Sequence, residues 1–450
     1  MDKVKSLLTK IKSNSDIILL LLIALGIRII SIRKYDMWFD EAFTGILMRV
    51  PIEEFKNVIA GDTNPPAYYL LLKFWTYIMG STDISLRLFS TLAGVATIYV
   101  VYLIGRRLVN KEAGLIAGFL IAISPFTVGY SLEARSYALY GLVAALSFYL
   151  LIKKEYLFFV VVGAFLPLIH YTGIIYLALM VGIYLAQEIR TKNWKQIIPV
   201  VATLGLVIFF SYSHSKLKED AVNASWIKEP SILSIKKSTY AHLFGVTVKK
   251  PGSDETLRLK IFVDKKYIET GIIIAFLVLV ISAVSLKKVK REDIIPMASL
   301  LMLTFIPMFF AIYLAKTGDT NIYVERYLFP SAIFFLLTIG ILLKKLFQFE
   351  ILMIVVAFYV LGVFTRLEYP KYYIGMRDIV ANHKRTVNYM TFTSPMDYVI
   401  ARYYFGEEYT KLRYYDPKDP TQQYLWWPFM RANEHMAPKK DTLLVVPDAG

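Results

Sequence analysis

Four short stretches carry residues that could do chemistry. In "DMWFDEAFTG" (36–45), Asp40 and Glu41 follow Asp36 and sit beside Trp38 and Phe39. Adjacent carboxylates point in different directions on most backbones, so one can act as a general base while the other holds a partner, a metal or the local fold. In "GDTNPPAYYLLLKFW" (61–75), Pro65 and Pro66 stiffen the chain and push Asn64 into an extended conformation, which positions Asp62. Tyr68 to Trp75 then reads as a helix with an aromatic interfacial face. "SLEARSYALYG" (131–141) puts Glu133 and Arg135 in a tight turn between apolar runs, with Tyr137 at the start of the second run. An i, i+2 pair does not face itself on a helix, so Glu133 and Arg135 serve different partners. The planar fork of Arg135 suits a phosphate, although an arginine there can also snorkel to lipid headgroups. "NIYVERYLFP" (321–330) repeats the theme with Arg326 and Tyr327, and His170 lies at a further turn. Asp83 and Arg87 read as a structural i, i+4 pair at a helix start; Arg28, inside the first apolar run, has no assigned role.

The elements that position these residues are membrane-like. The 450 residues are 56% hydrophobic and 19% charged, against about 25% charged in soluble proteins. With no cysteine, disulfides, thiolate chemistry and Cys-type zinc sites are excluded. The five histidines show no metal-ligand spacing. A formal charge of +16 would suggest nucleic acid in a soluble chain, but here the basic residues are scattered over many loops and fit cytoplasmic loops and lipid headgroups instead. Nucleic acid is not an expected partner.

The apolar run 17–32 follows a basic segment without a small-residue cleavage site, so it reads as a signal-anchor. Further runs fall near 85–104, 114–130, 137–152, 197–213, 269–286, 294–315, 328–343 and 349–365. The stretch 156–187 is too long for one helix, and Pro167, His170 and Gly173 at its middle predict two short helices meeting at a turn. This gives an α-helical polytopic membrane protein with about 11 crossings. The loops "GRRLVNKE", "KKE", "EIRTKNWK", "LKKVKRED" and "KK" are short and basic, which predicts a cytoplasmic N-terminus and external segments 33–84, 214–268 and 366–450. Residues 1–365 form the transmembrane domain in this reading, and 366–450 a small external α/β domain with "TLLVVP" as a buried strand. Interfacial helices are expected within 214–268, a formal sequon lies at Asn223-Ala-Ser225, and "YLWWPFM" reads mainly as packing.

"WFDEAFTG", "DTNPPAYYLLLKFW", "DISLRLFSTLAGVATIYVVYLIGRRL", "SLEARSYALYG" and "ERYLFP" occur in that order, and together they resemble polytopic GT-C glycosyltransferases of the protein O-mannosyltransferase and aminoarabinose-transferase type. "WIKEPSILSIKKSTYAHLFG" resembles that family's juxtamembrane segment. The resemblance spans roughly residues 15–345. It implies transfer of a hexose or pentose from a polyprenyl-phosphate carrier to an acceptor hydroxyl on a protein, lipid or glycan, at the external face of the cell membrane. Asp40 matches the general base and Glu41 its neighbour, with inversion at the anomeric carbon. Asp62, Asn64, Glu133, Arg135, Tyr137, His170, Arg326 and Tyr327 are the expected substrate-binding residues, Arg135 and Arg326 supporting the leaving phosphate. Thr63 and Asn64 replace the acidic-basic pair of aminoarabinose transferases, which argues against that subfamily. Metal use varies within this family, and Asp40, Glu41, Asp62 and Glu133 could make an oxygen site for Mg²⁺ or Mn²⁺. The alternatives are a polymerase or ligase of lipid-linked glycans, with essential residues in the middle loop, and a lipid-linked sugar transporter.

Overall fold

The computed structural model describes residues 14–62, 64–189, 194–213, 229–245, 248–249, 256–257, 291–317, 321–346, 375–386, 388–414 and 442–445. The runs at 269–286 and 349–365, the sequon at Asn223 and "YLWWPFM" lie outside these residues.

The first helix, α1 (Ser15–Ser31), buries Ile17, Leu20, Ala24 and Arg28 along one stripe. Its opposite face leaves Leu19, Leu22 and Ile30 exposed, as a helix facing lipid would. Three shorter helices follow, α2 (Phe39–Leu47), α3 (Ile52–Gly61) and α4 (Ala67–Met79), and then the long α5 (Asp83–Leu108). Thr82 caps α5 by accepting the Ser85 N–H, satisfying one of the donors left open at a helix start.

The next helix pair is bent. Helices α6 (Lys111–Ile123) and α7 (Pro125–Ser131) meet at 63°. Pro125 has no N–H for the Ile121 carbonyl, and the Thr127 hydroxyl donates to that carbonyl instead. Arg28 reaches across from α1, donating to the Ala122 carbonyl at 3.0 Å and to Ser131 Oγ at 2.8 Å. The buried arginine of α1 therefore braces the break that leads into Arg135.

Small residues set the helix spacing. A Cβ at Gly114 of α6 would collide with the α5 backbone at Tyr102, and one at Gly340 would strike Ala117; close backbone approach of this kind is typical of membrane helix pairs. The bundle continues through α8 (Tyr137–Lys153), α9 (Tyr156–Ile169), α10 (Gly173–Glu188) and α11 (Trp194–Ser213). The stretch 156–187 thus forms two helices turning at His170–Thr172. Then come α12 (Ile232–Phe244), α13 (Arg291–Thr317) and, after a 3₁₀ turn at Glu325–Leu328, α14 (Phe329–Leu346). Among the described residues, the regions Asp83–Leu108, Met297–Thr317 and Glu325–Lys344 are long and apolar enough to cross a membrane, and the bent α6–α7 pair meets the same test when its two arms are taken together.

A second core sits at one end of the bundle. Helix α15 (Met376–His383), strand β1 (Tyr389–Phe392), helix α16 (Pro395–Phe405), strand β2 (Leu412–Tyr414) and strand β3 (Thr442–Val445) make a parallel sheet of order β2–β1–β3. Its apolar residues do not form a core of their own. Tyr398, Val399 and Phe405 share one cluster with Met37, Leu47, Phe55, Tyr69 and Leu72 of the 33–82 segment. A Cβ at Gly45 would run into the Tyr403 ring, so α2 and α16 are in direct contact. The segments 33–84 and 366–450, separate in the sequence reading, are packed as one layer where they are described.

Candidate functional site

The site forms where α2 begins. Trp38 is extended, at φ −80° and ψ 171°, and Asp40 and Glu41 fall in the first helical turn. Their carboxylates diverge. Glu41 points inward: Arg87 Nε donates to Oε1 at 2.8 Å and Nη2 to Oε2 at 2.7 Å. Glu41 Oε1 also accepts the Ala134 N–H at 2.8 Å. Arg87 spends its other donors on the carbonyls of Ile32, Tyr35 and Asp36. This corrects the reading of Asp83 and Arg87 as a local pair. Arg87 is turned into the core toward Glu41, while Asp83 accepts from Arg377 Nη2 at 3.0 Å.

Asp40 points the other way, toward Arg135. Its Oδ2 lies 4.0 Å from Arg135 Nη2, and its side chain is 23% exposed. Thr44 donates to the Asp40 carbonyl at 2.8 Å and accepts from Arg135 Nη1 at 3.4 Å. Arg135 Nη1 also donates to the Tyr69 hydroxyl at 3.1 Å, and that hydroxyl lies within electrostatic reach of the Asp62 carboxylate. Asp62 Oδ1 accepts from the Asn64 backbone at 2.9 Å and its side-chain amide at 3.0 Å, closing the turn before the double proline. Tyr69 therefore joins the Asp62 turn to the Arg135 loop. Burial works against the charge of Arg135, but Tyr69, Asp40, Tyr137 and Asp62 outweigh it and hold the guanidinium well above its ordinary range. Its Nε is buried with no hydrogen-bond partner among the described residues.

Arg326 closes the opposite side. Its guanidinium lies 5.6 Å from the Trp38 ring and 5.5 Å from that of Tyr327, within electrostatic reach of Tyr137 and Asp40. The Tyr137 ring packs edge-on to Tyr130 at 5.3 Å and lies 6.2 Å from His170. Arg135 and Arg326 both act on the His170 ring. Asp40, Asp62, Asn64, Arg135, Tyr137, His170, Arg326 and Tyr327 thus come together. Glu133, also buried, acts electrostatically on Tyr130 and Tyr68.

Both Glu41 oxygens are committed to Arg87 and Ala134, which leaves Asp40 and Asp62 as the carboxylates nearest Arg135. No group of three or more His, Asp or Glu side chains is gathered for a metal among the described residues. The oxygen set suggested for Mg²⁺ or Mn²⁺ is therefore divided. Sequence reasoning missed Arg87, Thr44 and Tyr69 as parts of this site. Tyr69 carried a signal, since a tyrosine four residues after Pro65 must begin the helix that faces Asp62.

Residues 63–213 match the family model described as dolichyl-phosphate-mannose-protein mannosyltransferase. That segment contains Tyr69, Arg135, Tyr137 and His170, but not Asp40 or Arg326. No curated protein matches in sequence. In structure, the chain resembles ArnT from Cupriavidus metallidurans in the apo state, at TM-score 0.56 and 12% identity, covering 91% of this chain and 87% of that one. For ArnT bound to undecaprenyl phosphate the TM-score is 0.55 at 12% identity, with 90% and 87% covered. The archaeal oligosaccharyltransferase AglB from Archaeoglobus fulgidus, in complex with an inhibitory peptide and a dolichol-phosphate, gives 0.53 at 13% identity and 88% coverage of this chain. The chain spans 64% of the length of that oligosaccharyltransferase. The fold is GT-C, and the chain is a multi-pass membrane protein.

Proposed function

We propose that this chain, built on the GT-C fold, is a membrane glycosyltransferase that moves a hexose or pentose from a polyprenyl-phosphate carrier to an acceptor hydroxyl. The observation that carries the reading is the pairing of a partly open Asp40 with two arginines, Arg135 and Arg326, beneath an aromatic wall. At 4.0 Å from Arg135, the Asp40 carboxylate is beyond ordinary hydrogen-bond length, so an oxygen remains available to an incoming hydroxyl. The ArnT and AglB structures that hold polyprenyl or dolichol phosphate support a lipid-phosphate donor, and the mannosyltransferase match over 63–213 supports sugar transfer.

In this reaction Asp40 takes the acceptor proton as its oxygen attacks the anomeric carbon. The bond from that carbon to the phosphate oxygen breaks, and its electron pair leaves with the lipid phosphate. Arg135 and Arg326 stabilise the charge that develops there. One displacement inverts the anomeric centre. Glu41 fixes the start of α2 through Arg87. Asp62 and Asn64 hold Tyr69, which in turn orients Arg135.

The topology proposed with this function has a cytoplasmic N-terminus, about 11 crossings and a site facing outward. Residues 1–365 form the membrane domain and 366–450 an external C-terminal unit. Protein, lipid or glycan acceptors all offer the required hydroxyl.

The test is single-turnover transfer from a radiolabelled polyprenyl-phosphate-sugar pool by wild type and Asp40→Asn, with carrier binding measured in parallel. Retained binding with transfer reduced by about 10² or more supports a general base. Normal transfer by Asp40→Asn moves the base elsewhere and favours a polymerase or ligase working from the middle loop.

A further inference from the structure

His170 occupies the turn between α9 and α10 and is 1% exposed. Its ring stacks on Tyr140, with centroids 5.1 Å apart at 10°. Tyr171 and Tyr327 flank it at 4.6 and 5.1 Å. Nδ1 lies 2.8 Å from Thr172 Oγ1, whereas Nε2 is buried with no hydrogen-bond partner among the described residues.

Thr172 determines which nitrogen carries the proton. A threonine hydroxyl has one hydrogen and two lone pairs. The Tyr327 carbonyl, 2.7 Å from Thr172 Oγ1, can only accept, so it takes that hydrogen. Nδ1 must then donate to Oγ1, and the Tyr140 hydroxyl at 3.2 Å fills the second lone pair. In the opposite tautomer, Nδ1 and the carbonyl would compete for one proton, and one short contact would set lone pair against lone pair. The Thr172 N–H also points at Nδ1, at 3.3 Å, and by itself favours the opposite tautomer; it is the longest of these contacts, and the hydroxyl contacts at 2.7 and 2.8 Å outweigh it. Burial beside Arg135 and Arg326 disfavours an imidazolium. The ring is neutral, and Nε2 presents a bare lone pair.

A bare acceptor suits a hydroxyl and repels a phosphate, whose oxygens are acceptors as well. The site divides accordingly, with arginines for the phosphate and an imidazole acceptor beside them. We propose that His170 Nε2 accepts a hydrogen bond from one hydroxyl of the transferred sugar and so helps to determine which sugar is accepted. The inference rests on the glycosyltransferase reading, and deepens it.

The experiment measures binding by the full-length protein in nanodiscs. The probes are undecaprenyl phosphate, its mannosyl form, and mannosyl analogues lacking one hydroxyl or carrying fluorine in its place. Wild type should lose about tenfold or more for one particular hydroxyl, because a site built around a polar contact is left unpaired without it. Fluorine should restore nothing, since it cannot donate. His170→Asn keeps a group near Thr172 but removes the Nε2 position. It should bind the mannosyl carrier about tenfold more weakly, ignore that hydroxyl, and bind undecaprenyl phosphate as wild type does. His170→Gln, with a carbonyl oxygen near the Nε2 position, should recover part of the loss.

Wild-type indifference to every single-hydroxyl change overturns the inference even if both variants misfold. Equal loss for bare and mannosyl carrier, or additive losses of residue and hydroxyl, overturns it too. Nitrogen-15 NMR of histidine-labelled wild type, assigned against His170→Asn, should show Nδ1 protonated; the other tautomer rules the inference out whatever the binding. Failure of the glycosyltransferase reading has its own signature, namely wild type that binds undecaprenyl phosphate no better than phosphatidic acid.

Discussion

Asp40 and Glu41 are neighbours, and each faces an arginine, yet the two pairs are built for different ends. Glu41 and Arg87 are 2% and 5% exposed and meet at 2.7 Å, with further donors and carbonyls completing the geometry. Asp40 and Arg135 stand 4.0 Å apart, and Arg135 keeps a buried Nε without a partner among the described residues. A closed pair of this kind fastens a fold, because breaking it strands a buried charge. The open pair is held by neighbours rather than by its own contact, which leaves the uncommitted polar atoms that the proposed function calls for.

Substitutions can break or sharpen that contrast. Arg87→Ala should have the largest effect, about 3–5 kcal/mol of lost stability from an uncompensated Glu41, read by thermal unfolding in detergent. The double change Glu41→Gln with Arg87→Met should recover much of it; a single variant as stable as wild type would show that the closed pair is no fastener. Asp40→Asn should leave unfolding within about 1 kcal/mol of wild type while transfer falls by about 10²–10⁴. Arg135→Ala should lower kcat by about 10², with the effect concentrated in transfer rather than in folding.

Arg377→Ala probes the support behind the closed pair. The Arg377 side chain forms an ion pair with Asp36 at 3.6 Å and donates to Asp83 and to the carbonyls of Arg33 and Tyr35, all on the chain leading to Asp40 or the helix it packs against. Its loss should reduce transfer by about tenfold through misplacement of Asp40, with kcat moving more than KM. Lys56→Ala sets the floor. Lys56 and Glu53 are 62% and 78% exposed, and their pair should contribute under about 0.5 kcal/mol.

The sequence exposes the acids and arginines because polar residues between membrane-length apolar runs stand out, and the break at Pro167 and His170 is visible for the same reason. Partner choice was not legible. Asp83 and Arg87 satisfy a local helical rule, yet the guanidinium found three carbonyls and a carboxylate from the preceding loop and α2. Nothing in local spacing reports such distant acceptors. The same blindness hid the shared core of 33–82 and 375–414, since the first read as an external loop and the second as part of a separate external α/β domain. It also hid Tyr69, whose ring looks like one more interfacial aromatic until its hydroxyl is placed between Arg135 and Asp62.

The Asp36–Arg377 contact joins residues 341 positions apart, and this has a consequence for biosynthesis. At about 5–20 residues per second, the ribosome needs roughly 20–70 seconds to make Arg377 after Asp36 has emerged. During that interval the segment bearing Asp40 lacks the helix that packs on α2 and the arginine that ties down its approach. Assembly of the site is therefore among the last events in making this protein, and a nascent chain halted early would carry the acid without the frame that aims it.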